Sequence, residues 1–103
     1  MTRLKILLVG YGKMGHLVEE VARQRGHAIA GVIDVDRPAF VDADVAIDFS
    51  TAEALRANFD EYVQRRLPVV IGTTGWRADA DSFMSRAAAA TLGVVAAPNF
   101  SVA

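Results

Sequence analysis

The sequence of 103 residues contains no cysteine and only two histidines. The absence of cysteine excludes a disulfide, a thiolate nucleophile and a cysteine-based metal site. His16 lies at a predicted helix start and His27 in a predicted turn, and no Asp or Ser partner stands at a suggestive spacing, so neither is a convincing catalytic base. The acidic residues between Asp34 and Asp48 also lack the ligand spacing and the turn glycine of a calcium loop. No metal site is predicted.

Strong charge of either sign and long hydrophobic runs are missing as well. The net charge is −1, which argues against nucleic acid or an anionic membrane as the main partner. The first apolar run is interrupted at Gly10, too early for a signal peptide or a membrane span. A composition of 52% hydrophobic and 22% charged residues is typical of a globular domain. We expect a single domain in the cytoplasm.

Residues 10–15 read G-Y-G-K-M-G, directly after the apolar run of residues 6–9 and before a segment with helical periodicity. In such a strand–turn–helix setting, the pattern G-x-G-x-x-G is typical of dinucleotide-binding loops. Gly10 permits a tight turn off the strand, Gly12 leaves room for a pyrophosphate, and Gly15 permits close packing of the helix. The N–H groups at the start of that helix attract phosphates. A glycine-rich turn without function is the alternative, and the flanking elements disfavour it.

Two strands and a helix are predicted around this motif. Residues 5–9 are predicted to form a strand that is buried on both faces, because its apolar residues run continuously from 6 to 9. Residues 14–25 have helical periodicity and Gly26 is a suitable stop, after which residues 28–33 form a second apolar strand. Strand, crossover helix and strand make a right-handed parallel unit. The predicted buried face of the helix consists of Met14, Leu17, Val18, Val21 and Ala22.

The alternation of strands and helices continues along the chain. Residues 35–44 contain Pro38 and are predicted to be a loop, so this half of the sheet is shorter than in a full dinucleotide-binding fold. Ser50 and Glu53 have the spacing of a capping box at the start of the second helix. Strands are predicted at residues 45–49, 68–71 and 93–97, and helices at residues 50–66 and 79–91. The side chains predicted to face inward are Leu55, Phe59, Tyr62 and Val63 in the second helix and Ala80, Phe83, Met84, Ala87 and Ala88 in the third.

This regularity predicts an α/β fold for one domain that spans residues 1–103. The architecture is a doubly wound, Rossmann-like parallel sheet of about five strands with helices on both faces. The first strand should be central, with the third strand beside it. The loops that follow the strands would then lie at one edge of the sheet, where open sheets of this class bind ligands.

Asp34 ends the second strand about 20 residues beyond the glycine motif. A carboxylate there can accept hydrogen bonds from both ribose hydroxyls of an adenosine, and it would repel a 2′-phosphate. Arg37 is close enough in sequence to weaken that repulsion, but Val35 follows Asp34 directly. We therefore expect NAD(H) to bind at least as well as NADP(H). A solvated loop acid without function is the alternative.

Residues 72–75 read G-T-T-G after the fourth strand. The segment is not a Walker loop, because it lacks the Lys-Ser/Thr pair that holds phosphates and magnesium. Alone it would be interpreted as a turn, but its position beside the glycine motif favours a cofactor contact. Asp48, at the end of the third strand, is predicted to be structural and to order neighbouring loop N–H groups. Trp76 is predicted to be a packing residue or a loop anchor.

Four segments in order resemble one protein family: G-Y-G-K-M-G at residues 10–15, D-V-A-I-D-F-S at 44–50, P-V-V-I-G-T-T-G at 68–75 and A-P-N-F-S at 97–101. Together they are similar to the N-terminal domain of 4-hydroxy-tetrahydrodipicolinate reductase, also called dihydrodipicolinate reductase. The resemblance covers the whole chain, and the second pair of motifs is more specific than the glycine motif. It implies the cofactor domain of an oxidoreductase of lysine and diaminopimelate biosynthesis. That family reduces 4-hydroxy-tetrahydrodipicolinate to tetrahydrodipicolinate with NADH or NADPH.

The resemblance also implies which residues contact the cofactor. The glycine motif would hold the pyrophosphate and Asp34 the adenine ribose, while the loops after the third, fourth and fifth strands would lie toward the nicotinamide. The implied cofactor-binding residues are Gly10, Tyr11, Gly12, Lys13, Met14, Gly15, Asp34, Phe49, Ser50, Gly72, Thr73, Thr74, Ala97, Pro98, Asn99 and Phe100. No catalytic residue is assigned within this chain.

The sequence departs from the family in three respects. The family commonly spaces its glycines as G-x-x-G-x-x-G, whereas Val9 stands at the first of these positions. The family often has a basic residue beside the ribose-binding acid, where this chain has Val35. The sequence also lacks the family's second domain, which carries the histidine-rich motif with the proton donor, the lysine and the Ser/Gly/Thr stretch that holds the substrate carboxylates, and it lacks the C-terminal helical sequence. We therefore expect a fragment that is inactive alone, from a homo-oligomer (a homotetramer in the full-length family pattern) whose second domain binds the small-molecule substrate.

Two other hypotheses stay open. The chain could be the cofactor domain of another amino-acid dehydrogenase, although the G-T-T-G and N-F-S motifs argue against this. It could also be a stand-alone, non-catalytic module for NAD(H) binding or dimerisation. The second hypothesis predicts cofactor binding without turnover and a stable fold at this length.

Overall fold

A computed structural model describes residues 3–34 and 40–96, and the predicted alternation of strands and helices is present there. Each strand and each α-helix begins and ends within two residues of its predicted bounds, and one 3₁₀ turn precedes the third helix without having been predicted. The described part of the predicted loop, residues 40–44, contains neither helix nor strand. The elements are β1 (Lys5–Val9), α1 (Lys13–Gln24), β2 (Ala28–Ile33), β3 (Val45–Asp48), α2 (Ala52–Arg65), β4 (Val69–Ile71), a 3₁₀ turn (Arg77–Asp79), α3 (Ala80–Ala89) and β5 (Val94–Ala96).

The five strands form one sheet in the order β2-β1-β3-β4-β5, and every neighbouring pair is parallel. The prediction that β3 lies beside β1 is confirmed. The prediction that β1 is the central strand is wrong, because β4 and β5 both lie on the β3 side and make β3 the middle of the five described strands. The chain runs outward from β1 in both directions, so the connections that follow β1 and β3 diverge. This reversal creates the crevice in which doubly wound sheets bind ligands, at the carboxyl ends of the strands.

The two faces of the sheet carry separate hydrophobic clusters. Leu7 and Val9 of β1 face one cluster together with residues of α2 and α3. The alternate residues, Ile6 and Leu8, face a smaller cluster with Ala22 of α1. Helices therefore cover both faces, and the predicted Rossmann-like α/β fold is confirmed. None of the helices within residues 3–34 and 40–96 is long and apolar enough to cross a membrane.

Four side chains that periodicity places in the core are exposed instead. Leu17 and Val21 of α1 are 51% and 40% exposed, and Met84 of α3 is 40% exposed. Ala88 of α3 is exposed as well. Within the described part of the chain, α1 is the only helix that packs on this face of the sheet. No neighbouring helix there covers the side of its apolar stripe that carries Leu17 and Val21. The contact of α3 with the sheet is limited to a narrow row of side chains, because Phe83 and Ala87 fill the space above the sheet.

The start of α2 also differs from the prediction. Thr51, rather than Ser50, is the N-cap residue, and its side chain accepts a hydrogen bond of 3.1 Å from the backbone N–H of Ala54. The Ser50 hydroxyl donates to the carboxylate of Asp48 instead. A hydrogen bond to a charged acceptor is stronger than one between neutral groups. The predicted capping box of Ser50 and Glu53 is therefore wrong, and the N-cap lies one residue later, at Thr51.

Candidate functional site

The glycine loop, residues 10–15, turns sharply away from β1. Gly10 has a φ of +90°, and a Cβ atom there would lie 2.8 Å from the backbone carbon and oxygen of Phe49. Its N–H donates to the carbonyl of Ile33 at 2.8 Å. The loop is thus in close backbone contact with the chain that follows β3, and only glycine fits this position. The predicted tight turn is confirmed.

The other two glycines of the loop have different surroundings. A Cβ atom on Gly15 would lie 2.5 Å from the carbonyl oxygen of Gly10, so the first turn of α1 packs directly on the loop. Outside Gly12 and its two chain neighbours, no atom of residues 3–34 and 40–96 lies within 4 Å of the Cβ position of Gly12. Gly12 is also the N-cap of α1, where no side chain caps the helix, and the first turn contains Lys13 and no acidic residue. The start of α1 therefore suits an anion both electrostatically and sterically.

The side chain of Tyr11 fastens the glycine loop to α1. Its hydroxyl donates to Glu19 at 2.5 Å, and its ring lies 3.8 Å from the ring of His16 between centroids. The hydrogen bond from Tyr11 and a second one from Arg23 lower the pKa of Glu19. Both partners lie on α1, so the side chain of Tyr11 runs back along the helix.

A cavity of about 290 Å³ opens beside the glycine loop, between the ends of β1 and β2 and the first half of α2. It brings together Gly10, the exposed Asp34 and Ser50, which are three predicted site residues from three different loops. The contribution of α2 to this cavity is not among the predictions from the sequence. The sequence feature that could have indicated this contribution is the helical spacing of small or polar residues directly after the N-cap of α2. The residues of α2 and its cap that line the cavity are Thr51, Ala54, Ala57 and Asn58.

The carboxylate of Asp48 connects the loops after β3 and β4. Asp48 is fully buried. Both the N–H and the hydroxyl of Ser50 donate to its Oδ1, the N–H at 2.9 Å. The hydroxyl of Thr73 donates to the same oxygen at 2.9 Å. The prediction that Asp48 orders neighbouring loop N–H groups is confirmed, and its links to the two hydroxyls were not foreseen.

The second oxygen of Asp48 is bonded to α2. The hydroxyl of Tyr62, also fully buried, donates to Oδ2 at 2.6 Å. Burial, together with the nearby Asp48 carboxylate, raises the pKa of Tyr62, so the phenol keeps its proton. A buried carboxylate is unfavourable unless its oxygens are hydrogen-bonded. Here four donors satisfy it.

The threonine loop, residues 72–75, has one buried and one exposed threonine. Thr73 is 4% exposed, and its hydroxyl faces Asp48. Thr74 is exposed. The indole N–H of Trp76 donates to the carbonyl of Thr73 at 2.7 Å, and the indole stacks on Phe83 at 5.7 Å. Trp76 is therefore both a loop anchor and a packing residue, as predicted.

A second cavity, of about 310 Å³, lies over the threonine loop. Its walls run from Thr73 and Thr74 to Arg77 and Ala80, and Ala96 at the end of β5 also lines it. The predicted residues Ala97, Pro98, Asn99 and Phe100 come directly after Ala96 but lie outside the described residues, as do Val35 and Arg37. Within residues 3–34 and 40–96, no three His, Asp or Glu side chains cluster in a way that could hold a metal ion.

All the predicted site residues within the described ranges lie at the carboxyl edge of the sheet, after β1, β2, β3 and β4. This arrangement defines a Rossmann-like domain of the kind found in dinucleotide-binding proteins. A family model described as dihydrodipicolinate reductase, N-terminus, matches residues 4–100. The chain therefore belongs to the dihydrodipicolinate reductase family, as the resemblance of its motifs indicated.

Individual relatives agree with this assignment. The chain is 40% identical over 80 residues to the 4-hydroxy-tetrahydrodipicolinate reductase of Christiangramia forsetii, a match that covers 74% of this chain and 34% of that protein. It is 43% identical over 84 residues to the enzyme of the same name from Staphylococcus carnosus, covering 70% of this chain and 34% of the relative. The corresponding match in Staphylococcus aureus strain JH9 is 42% identical over 84 residues, with the same coverage. The matched region is about a third of the length of these relatives.

Proposed function

We propose that this chain is the cofactor-binding domain of an NAD(P)H-dependent reductase. The observation that carries the proposal is the open space at Gly12. It lies at the uncapped start of α1, in the same loop as Gly10, which lines the Asp34 cavity. A pyrophosphate against Gly12 would accept hydrogen bonds from the first N–H groups of α1, with Lys13 supplying positive charge.

The adenosine half of the cofactor would lie in the cavity beside Asp34. The Asp34 carboxylate would accept hydrogen bonds from the ribose hydroxyls. Ala54 and Ala57 leave space for a flat base, and the amide of Asn58 offers both a donor and an acceptor at the cavity wall. Because a carboxylate repels a 2′-phosphate, we propose that NAD(H) binds at least as well as NADP(H). Titrations with NADH and NADPH test this, and a strong preference for NADPH would contradict it.

The nicotinamide half would lie toward the threonine loop. The peptide between Phe49 and Ser50 contacts the glycine loop at Gly10. Gly72 and Thr73 of the threonine loop are hydrogen-bonded to Asp48, the residue before Phe49. Exposed Thr74 borders the second cavity. The bound cofactor would supply a hydride there. The role of this chain is to bind and orient the cofactor. The family resemblance alone supports further nicotinamide contacts from Ala97, Pro98, Asn99 and Phe100, which lie outside the described residues.

The substrate assignment follows from the relatives, which are named 4-hydroxy-tetrahydrodipicolinate reductases. We propose that the complete enzyme is a cytoplasmic homo-oligomer that reduces the same compound to tetrahydrodipicolinate. The substrate contacts and the proton donor would lie in a second domain, so the 103-residue chain alone would bind cofactor without turnover. An assay of this chain with substrate and NADH tests that statement, and measurable turnover would contradict it.

Cofactor binding is tested most directly at Gly12. Gly12→Val would place a side chain where the pyrophosphate lies, so we expect NADH affinity to fall by more than about 100-fold while the fold is kept. The matched control is Gly93→Val before β5, where an added Cβ meets only ordinary contact, 3.9 Å from Pro68. Calorimetric titration of both variants with NADH, beside circular dichroism, separates the two effects. Unchanged affinity in Gly12→Val would mean that the glycine loop is only a turn.

A further inference from the structure

Asp48 is an unusual residue for the end of a buried strand. An ionised carboxylate without exposure to water is unfavourable unless every oxygen is hydrogen-bonded. Asp48 is fully buried, and the proposed cofactor contacts do not require it to touch a ligand. Its chemical role must therefore lie in the groups that it holds.

Those groups belong to the two loops that the cofactor would contact. The carboxylate accepts hydrogen bonds from Ser50, after β3, and from Thr73, after β4. The backbone carbonyl of Asp48 accepts two more, from the N–H of Gly72 at 2.8 Å and from the N–H of Thr73 at 3.1 Å. The Thr73 hydroxyl also lies 3.1 Å from this carbonyl, so its one proton is shared between the carbonyl and the carboxylate. One residue thus fixes the beginning of the threonine loop by both its main chain and its side chain.

Asp48 and its neighbours are also connected to the glycine loop on one side and to α2 on the other. Toward the glycine loop, the Phe49–Ser50 peptide lies so close to Gly10 that a Cβ there would be 2.9 Å from the Ser50 nitrogen. Toward the interior, Tyr62 of α2 donates to Asp48 at 2.6 Å. A displacement of Asp48 would move the loops after β3 and β4 together, and Tyr62 limits that displacement.

We propose that Asp48 is a positioning residue of the dinucleotide site, anchored by Tyr62, and that it fixes the separation of the loops after β3 and β4. The proposal rests on the proposed cofactor function. It adds that affinity for the nicotinamide half depends on a buried carboxylate which the ligand does not touch. The adenosine half depends on it less: Ser50, which Asp48 holds, lines that cavity too, but most of the lining belongs to β1, β2 and α2.

The test replaces Asp48 by asparagine, which keeps the shape but removes the charge and one acceptor oxygen. Asp44→Asn is the matched control: Asp44 lies just before the opposite end of the same strand, where its carboxylate accepts the Lys5 N–H at 2.8 Å. The probes are NADH and AMP, titrated by calorimetry on folded protein. We expect Asp48→Asn to weaken NADH binding by about tenfold or more and AMP binding by less than about threefold. Asp44→Asn should change neither affinity.

A second pair of variants applies if Asp48→Asn does not fold. Thr73 points its hydroxyl at Asp48 and is 4% exposed, so Thr73→Val removes the link and keeps a side chain of the same shape at the wall of the second cavity. We expect Thr73→Val to reproduce the selective loss of NADH affinity and Thr73→Ser, which keeps the hydroxyl, to restore it.

Three outcomes are distinguishable. Selective loss of NADH affinity with rescue by Thr73→Ser supports the positioning role. Unchanged NADH affinity in folded Asp48→Asn, or equal loss of NADH and AMP, overturns it and leaves Asp48 a purely structural residue. If the unmodified chain binds neither nucleotide, the proposed cofactor function itself fails.

Discussion

The glycine loop after β1 and the pair of loops after β3 and β4 border the same crevice, but different chemistry holds each in place. The glycine loop depends on missing side chains, since a Cβ on Gly10 or Gly15 would lie within 2.8 Å of backbone atoms. The other two loops depend on side chains that are present, because Ser50 and Thr73 both donate to buried Asp48. The glycine loop is therefore held by close steric fit, and the loops after β3 and β4 are held by hydrogen bonds to a buried carboxylate.

This difference predicts different responses to mutation. A steric arrangement fails abruptly when a single methyl group is added, since the contacting backbone cannot move away easily. A hydrogen-bonded arrangement weakens in steps, with each lost donor costing about 1–3 kcal/mol. The following substitutions separate the two behaviours by their size and by their dependence on pH.

The largest effect is expected for Gly10→Ala. The added Cβ would lie 2.8 Å from the carbon and oxygen of Phe49, at a φ of +90°. We expect the free energy of unfolding to fall by more than about 3 kcal/mol, measured by urea denaturation. Gly26→Ala is the matched control, because Gly26 has a φ of +84° and, among the described residues beyond its chain neighbours, no atom lies within 4 Å of its Cβ position. There only backbone strain remains, about 1 kcal/mol. Equal losses at the two positions would refute the close contact of the glycine loop with Phe49.

A smaller effect is expected for Tyr62→Phe, which removes one of the four donors to Asp48 and leaves the ring packing intact. The loss of a hydrogen bond to a buried charged group should lower the free energy of unfolding by about 2 kcal/mol at neutral pH. Tyr11→Phe is the control, since its hydroxyl bonds to Glu19 at a partly exposed site. That variant should lose less than about 1 kcal/mol. A neutral result for Tyr62→Phe would mean that the Asp48 carboxylate does not need this donor.

The same substitution has a pH signature. Because the pKa of Tyr62 is raised in the folded chain, the unfolded chain releases this proton first as the solution becomes alkaline. Stability from Tyr62 is thus complete below about pH 10 and declines above it, by about 1.4 kcal/mol per pH unit for one proton. Urea denaturation of wild type and Tyr62→Phe between neutral and strongly alkaline pH should show this decline in the wild type alone. Parallel curves would contradict the burial of an un-ionised phenol beside Asp48.

The smallest effect is expected at the start of α2. Thr51→Ala removes the cap that accepts the Ala54 N–H at 3.1 Å and should lower the free energy of unfolding by about 1 kcal/mol. Thr51→Ser keeps the hydroxyl and should be nearly neutral. Thermal denaturation of both variants tests whether Thr51, and not Ser50, starts the helix. Equal stability of the alanine and serine variants would contradict this assignment.

The glycine loop, which is the sterically fitted part of the site, could be predicted from the sequence. Glycines at this spacing between a strand and a helix have few explanations other than a lack of space for a side chain. The spacing of Gly10, Gly12 and Gly15 between a strand and a helix indicates three close approaches, and two of these are confirmed within the chain itself. The strands and helices were predictable for a similar reason. Apolar runs and helical periodicity are local properties, and the sheet order follows from right-handed crossovers.

The hydrogen bonds that join Asp48 to α2 and to the threonine loop could not be predicted, because their donors, Tyr62 and Thr73, come from distant parts of the chain. Tyr62 has the periodicity of a core residue, and nothing in its spacing shows that its hydroxyl reaches Asp48. Ser50 and Thr51 are both good cap residues, and the competing acceptor that draws Ser50 away becomes visible only in the fold. The exposed Leu17 illustrates the same limit, since periodicity shows that a helix has an apolar stripe but not how much of it a neighbour covers.

Trp76 gives the chain an optical probe at a useful place. It is the sole tryptophan of the sequence, its indole N–H is bonded to Thr73, and its ring rests on Phe83. Its fluorescence should therefore respond to movement of the threonine loop and to loss of the core. A reduced nicotinamide in the neighbouring cavity would accept energy from the excited indole. Ligand binding can then be followed by light emission, without a label and at protein concentrations too low for calorimetry.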